Sequence, residues 1–308
     1  MIYTLTLNPS IDYVVQVVDF KQGEINRVKK DYKYPGGKGI NVSRVLNNLD
    51  IKTKTLGFIG GFTGEYIKNF LENEGVDTDF IATGGDSRIN VKLKSNKETE
   101  INGAGPNITE DDLEKLFHKL EQLTSNDYLV LAGNIQKNLP RDIYAQIQKR
   151  YINNDVKVVV DTTGVGLTST LVHKPFLIKP NNHELSEIFD VDINTTEEVI
   201  HYGKKLLEMG AENVIVSMAS EGALLICNEG VYHGSAPKGK VKNSVGAGDS
   251  LIAGFLASYS KNPDIIEAFR WGVACGSSTA FSFDLCKKEE VERLLHEVKL
   301  IKSEDNIL

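Results

Sequence analysis

Cysteine is scarce in this 308-residue chain, and none of its three cysteines stands in C-x-x-C spacing with another. Cys227, Cys275 and Cys286 therefore offer neither a paired zinc site nor a redox pair. So sparse and odd a set fits a reducing compartment, with each thiol serving as a small core side chain. The six histidines are scattered, and none pairs with another at metal spacing. No apolar run approaches the roughly 20 residues needed to cross a bilayer. The N-terminal stretch MIYTLTLNPS lacks the basic n-region and long apolar segment of a signal peptide, so a cytoplasmic protein with no membrane partner is expected. Excess positive charge is lacking too. A net charge of −7 argues against nucleic acid as the main partner, because that footprint is basic, although local basic spots can still hold a small anion. No G-x-x-x-x-G-K-[ST] occurs, which excludes a Walker-type phosphate loop, and no G-x-S-x-G elbow supports a serine hydrolase.

What the chain does have is the material of a folded α/β protein: 41% hydrophobic and 25% charged residues, typical of a globular domain with an ample core. Residues 2–7 read as a strand that ends at the turn signal Asn8-Pro9. Residues 13–18, 89–94 and 99–102 read as further strands, the last two joined across Ser95-Asn96-Lys97. With no helices between them, they are expected to form a small separate sheet drawn from about 12–34 and 87–103. Elsewhere strands and helices alternate. Val42, Val45, Leu46 and Leu49 mark one helix face by their spacing, and Leu113, Leu116, Phe117, Leu120 and Leu123 mark another, with Thr109 and Asp112 as its start signal. Buried strands are expected at 55–59, 128–132, 156–161, 176–178 and 214–217, and C-terminal helices at 248–260, 264–283 and 287–299. The pattern predicts a single three-layer α/β/α domain over residues 1–308, with a mostly parallel central sheet and the small sheet as a β lid.

The chemistry concentrates in a few segments. Asn243-Ser244-Val245-Gly246-Ala247-Gly248-Asp249-Ser250 precedes an apolar helical run, so small residues offer backbone N–H groups and a positive dipole end to an anion. Asp249 at that mouth suits a hydroxyl that loses its proton while a phosphoryl group is transferred; read blandly, it is a first-turn dipole partner. Pro35-Gly36-Gly37-Lys38-Gly39-Ile40-Asn41 sets a cation and a two-way amide among glycines. Lys179-Pro180-Asn181-Asn182-His183-Glu184 closes a buried strand, where parallel sheets place ligands. Asn181 and Glu184 there suit a hydrated Mg²⁺ or an ordinary helix cap. Asp12 is either an acceptor for sugar hydroxyls or a solvated turn acid. Arg88 is either a bidentate phosphate holder or a solvated strand residue.

Taken together these residues resemble the ribokinase-like carbohydrate kinases, the PfkB family. The resemblance runs from Asn8-Pro9-Ser10-Ile11-Asp12 through Gly36-Gly37-Lys38-Gly39-Ile40-Asn41-Val42-Ser43 to the segment 243–254. It implies a ribokinase-like α/β/α fold with a β-sheet lid, ATP and Mg²⁺ as cofactors, and a small phosphosugar as substrate. It implies that Asp249 is the catalytic base and that Gly246, Ala247 and Gly248 form an anion hole. It places Asp12, Gly37, Lys38, Asn41 and Arg88 on the sugar. Lys179, Asn181, Ser217, Gly222, Ser244 and Ser277 fall on the nucleotide, and Glu184 on Mg²⁺ through water. Two segments depart from the family pattern: Met218-Ala219, where many members carry Leu-Gly, and Ala132-Gly133-Asn134-Ile135, where Ser-Gly-Ser-Leu is usual. The run Ser87-Arg88-Ile89-Asn90-Val91-Lys92-Leu93, with Thr6-Leu7-Asn8-Pro9, is most similar to the family's phosphosugar kinases. The expected reaction is phosphorylation of fructose 1-phosphate at O6. Tagatose 6-phosphate and fructose 6-phosphate are the alternative substrates, and a non-catalytic sugar-phosphate sensor is the rival class. A homodimer through the lid sheet is implied by the resemblance alone.

Overall fold

The computed structural model describes residues 1–303. The strands β1 (Ile2–Thr6), β2 (Ser10–Gln16) and β3 (Lys30–Gly36) lead to α1 (Lys38–Asn48), β4 (Thr53–Ile59) and α2 (Gly61–Asn73). The short β5 (Asp77–Thr78) and β6 (Ile81–Ala82) precede β7 (Arg88–Lys94), β8 (Glu98–Asn102) and α3 (Glu110–Leu120). Then come β9 (Tyr128–Ala132), α4 (Ile143–Gln148), β10 (Lys157–Asp161), α5 (Val165–Thr168), β11 (Leu177–Ile178), α6 (Asn182–Phe189) and α7 (Thr196–Glu208). The last third carries β12 (Val214–Ser217), β13 (Ala223–Cys227), β14 (Gly230–Gly234), α8 (Ala247–Tyr259), α9 (Ile265–Ala280), α10 (Lys288–Leu295) and β15 (Leu300–Lys302).

Among the described residues the central sheet has 11 strands, running β15-β14-β13-β12-β11-β10-β9-β1-β4-β5 with β6 also on β4. It is parallel from β12 to β5 and antiparallel from β12 out to β15. Its middle strands are apolar on both faces. Leu5, Leu129, Leu131, Val158 and Val160 pack to one side with Leu116 of α3, Tyr144 of α4 and Val199 of α7. Ile2, Val130 and Val159 pack to the other with Val45 of α1, Phe255 of α8 and Phe269 of α9. Burial on both faces is why these strands read as continuous apolar runs and not as alternating ones. A second sheet of four strands, β3-β2-β7-β8, seats Ile11 against Ile67 and Leu71 of α2. It has only a small apolar cluster of its own, around Val15, Val17 and Leu93.

Several expectations hold to the residue: β9 and β12 have the predicted limits, and Thr109 and Asp112 close a capping box on α3. The cysteines are free and buried, and no helix among the described residues is long and apolar enough to cross a membrane. Other expectations need correction. The strand expected at 13–18 runs Ser10–Gln16, because ladder pairing to β3 and β7 begins at Ser10. The helices expected at 264–283 and 287–299 stop at Ala280 and Leu295, the second because the chain turns back to add β15 to the sheet edge. The sequence reading also misses β13 and β14. Their register pairs Cys227 with Gly230, so the connecting residues are Asn228-Glu229, which is not one of the dipeptides that signal a hairpin.

Candidate active site

The carboxyl ends of the parallel strands converge on one cluster of charges. β10 ends in Asp161, β11 leads into Lys179, and the helices α1, α6 and α8 all begin at this edge. Asp249, in the first turn of α8, is buried, and its Oδ2 accepts a 2.8 Å hydrogen bond from Asn41 Nδ2 of α1. Lys38 opens α1; its Nζ donates to Asp161 Oδ1 at 2.9 Å and lies 3.8 Å from Glu184 Oε1. Lys179 Nζ approaches the same Asp161 oxygen at 3.6 Å. Asp161 is fully buried, and among the described residues its other oxygen, Oδ2, has no hydrogen-bond partner.

These groups set one another's charge. Burial, reinforced by the nearby Asp161 carboxylate, pushes Asp249 up to about 6, against the pull of Lys38, Asn41 and Lys179. Burial acts in the same direction on Asp161, but Lys179 and Lys38 outweigh it and hold its carboxyl below the usual range. Burial works against the charge of Lys38, yet Asp161, Glu184 and Asp249 keep it firmly protonated. The cluster thus contains one carboxylate locked in its charged form and a second poised near neutrality. That division of labour is typical of sites that move a proton.

Beside Asp249 the chain is built for close approach. Gly246, the N-cap of α8, has φ 80 and no side chain to cap the first turn; Ala247 N donates to Ser244 O at 3.2 Å, so the N–H groups of Gly248 and Asp249 are the first-turn donors available to a ligand. A Cβ there would stand 2.7 Å from Leu285 Cδ2, and one on Gly248 would stand 3.0 Å from Lys179 Nζ. The lysine therefore lies directly over the loop.

On the other side of the cluster stands the small sheet. Asp12 Oδ1 accepts from Ser10 Oγ at 2.9 Å and from Asn90 Nδ2 at 3.0 Å. Gly36 leaves room for that carboxylate, since its Cβ would lie 2.5 Å from Asp12 Cγ. Arg88 sits beside Ser10 in the register of β2 and β7 and donates from Nε to Asn8 O at 3.1 Å. Burial lowers its pKa, and the neighbouring Asp12 opposes that shift.

The cluster thus sets buried lysines, a poised carboxylate and a glycine loop beside a polar edge of the small sheet. The sequence model of the pfkB family carbohydrate kinases matches residues 5–290. The chain belongs to that family. It is 54% identical over 300 residues to a 1-phosphofructokinase from Bacillus subtilis (strain 168), covering 97% of this chain and 99% of the relative. It is 36% identical over 301 residues to a D-tagatose-1-phosphate kinase from Bacillus licheniformis, covering 97% and 99%. Among solved structures, phosphofructokinase-2 from Escherichia coli in complex with fructose-6-phosphate superposes with a TM-score of 0.90 at 26% identity, covering 96% of this chain and 98% of that one.

As a pfkB kinase, the chain gathers most of its sequence-predicted residues at this edge. Asn181 and Glu184 close a capping box on α6, each side chain bonding the other's backbone N–H at 2.9 Å. The bland reading of the pair as a helix cap therefore holds, while Glu184 Oε1 still faces Lys38. Ser217 bridges to Asn181 at the end of β12, and Gly222, at φ 91, closes the following turn. Ala219, in the Met218-Ala219 departure, takes a positive φ of 49, the region that favours glycine. Ser244 is exposed in the loop before α8, its carbonyl accepting from Ala247 N. Ser277 follows Gly276, where α9 packs closely on Ala247. Gly133 takes φ 95 and Asn134 is exposed in the departing Ala132-Gly133-Asn134-Ile135 segment. Lys38 is drawn into the cluster with Asp161, whereas Arg88 bonds at the lid edge, and among the described residues no hydrogen bond or ion pair joins the two. The residue that sequence reasoning passes over is Asp161. Its only signal is a charge ending the apolar run Val158-Val159-Val160 at the carboxyl end of a parallel strand.

Proposed function

We propose that this chain transfers the γ-phosphoryl group of ATP to O6 of fructose 1-phosphate, giving fructose 1,6-bisphosphate and ADP. The observation that carries the reading is the buried Asp249 carboxylate, held by Asn41 at the mouth of the Gly246–Gly248 loop. Asp12, Gly37 and Asn41 position the sugar, and Arg88 holds its existing phosphate by charge-assisted hydrogen bonds. Lys179, Asn181, Ser217, Gly222, Ser244 and Ser277 line the nucleotide side. The new O6–P bond forms as the bond from that phosphorus to the β-phosphate oxygen breaks. The loop's N–H groups, Lys38 and Lys179 stabilise the spreading negative charge. Asp249 orients the hydroxyl and accepts its proton late, since a carboxylate is a weak base toward an alcohol.

The donor set fits a hydrated Mg²⁺ carried by nucleotide phosphates. Among the described residues no group of three or more His, Cys, Asp or Glu side chains is disposed to hold a metal, and Mg²⁺ commonly relies on one or two carboxylates plus substrate phosphates. Glu184, through water, and the unpartnered oxygen of Asp161 are the groups that would face it. When bound, Mg²⁺ neutralises phosphate charge.

The chain is read as one catalytic unit in the cytoplasm, with the four-stranded sheet closing over the sugar and excluding water. Val18, Ile25, Ile89 and Ile101 are exposed in and beside that sheet, and a homodimer through the lid would cover apolar side chains there. The relative that acts on D-tagatose 1-phosphate favours a second substrate of the same shape, with its phosphate also on C1. Phosphorus NMR of the product from fructose 1-phosphate, ATP and Mg²⁺ tests the proposal. A second sugar-phosphate resonance on C6 is expected, and ATP hydrolysis without one would refute the reading.

A further inference from the structure

Arg44 follows Asn41 by three residues on α1, so both side chains leave one side of the helix. It is 4% exposed, and four of its five guanidinium N–H groups donate to two carboxylates. Nε and Nη2 donate to Glu74 at 2.7 and 2.9 Å, while Nη1 and Nη2 donate to Asp284 at 3.2 and 2.8 Å. Burying an arginine to tie down two carboxylates is a poor source of stability, because desolvation offsets much of the attraction. What such a double fork supplies is geometry.

The two arms lead to different places. Asp284 precedes Leu285, the side chain packed where Gly246 has none. Cys286 N donates to Thr279 Oγ1 at 3.0 Å; that hydroxyl shares a 2.7 Å hydrogen bond with Ser250 Oγ, and Ser250 donates to Gly246 O at 2.8 Å. Asn48 of α1 adds a 2.9 Å bond to Cys286 O. Residues 284–286 are thus the floor beneath Gly246, and α1 grips that floor with Arg44 and Asn48. The Glu74 arm runs to the end of α2, where Asn47 Nδ2 already holds the Glu74 carbonyl at 2.8 Å.

We propose that Arg44 is a positioning residue for phosphoryl transfer, its Asp284 arm fixing the loop at Gly246 against the helix that presents Asn41 to Asp249. The inference rests on the reading of Gly246–Asp249 as the transfer centre.

The test compares Asp284→Asn, Arg44→Lys, Glu74→Gln and, as a control, Asp249→Asn, each assayed for kcat, sugar KM and thermal unfolding. Asp284 is 43% exposed on its side chain, so its variant should fold. Asp284→Asn and Arg44→Lys should each lower kcat by about tenfold or more, the scale on which small displacements remote from the reacting atoms act, with little change in sugar KM. Glu74→Gln should lower Tm and leave kcat near that of the parent. Wild-type kcat in Asp284→Asn, or equal kcat losses in the two carboxylate variants, would overturn the proposal. Full turnover in Asp249→Asn would instead remove the transfer centre on which it rests, whatever Asp284 does.

Discussion

Asn41 Nδ2 donates a 2.8 Å hydrogen bond to Asp249 Oδ2 across 208 residues of sequence, and this contact joins the two glycine-rich motifs into one site. The amide holds one oxygen of a carboxylate that burial and Asp161 push up to about 6. Replacing Asp249 by Asn keeps the shape and removes the proposed base. Its kcat should fall by about 10²–10⁴-fold, the usual contribution of a positioned acid or base, while ATP binding measured by calorimetry stays close to that of the parent. Comparable turnover in the variant would sink the base assignment.

As the proposed base, Asp249 works as the carboxylate, and the sign of the pH effect follows directly. Above a pKa of about 6 the group is charged and active; below it the proton occupies the acceptor. The kcat/KM should therefore fall about tenfold per pH unit on the acid side of that value. Lys38→Met removes a cation that favours the charged form, so its acid limb should move to higher pH. A limb that stays in place would assign the titration to another group.

Arg88, proposed to hold the sugar's phosphate, bonds Asn8 O at the edge of the small sheet and not the Asp161 cluster, so its loss should fall on the sugar. Hydrogen bonds to charged groups contribute about 1.5–3 kcal/mol, and Arg88→Ala should accordingly raise KM for a phosphosugar by about 10–100-fold. KM for ATP should change little. Equal effects on both substrates would move Arg88 out of the phosphate site.

Ala219 holds a left-handed backbone at φ 49, which a residue with a Cβ adopts only at a cost. Ala219→Gly should therefore stabilise the protein, by about 0.5–1 kcal/mol in urea unfolding. Lower stability in the variant would show that this turn does not hold the left-handed conformation in solution.

Local signals in the sequence carry much of this account. Apolar runs locate β9, β12 and the other buried strands, and the Thr109 and Asp112 pair marks the start of α3, because these features depend on a few neighbouring residues. The Gly246–Asp249 loop and the Gly36–Asn41 segment are legible for the same reason. Asp161 is not, since a carboxylate ending an apolar strand looks like any polar stop until the fold brings Lys38 and Lys179 to it. Arg44 is equally silent in sequence: its two partners, Glu74 and Asp284, come from distant segments. The hairpin of β13 and β14 escapes notice because its turn lacks a hairpin dipeptide.

The choice of sugar phosphate is read out by ADP release measured in parallel with fructose 1-phosphate, fructose 6-phosphate and tagatose 6-phosphate. The kcat/KM for fructose 1-phosphate should be at least ~100-fold above the others, about 2.7 kcal/mol of discrimination. A preference for either 6-phosphate would contradict the proposed function.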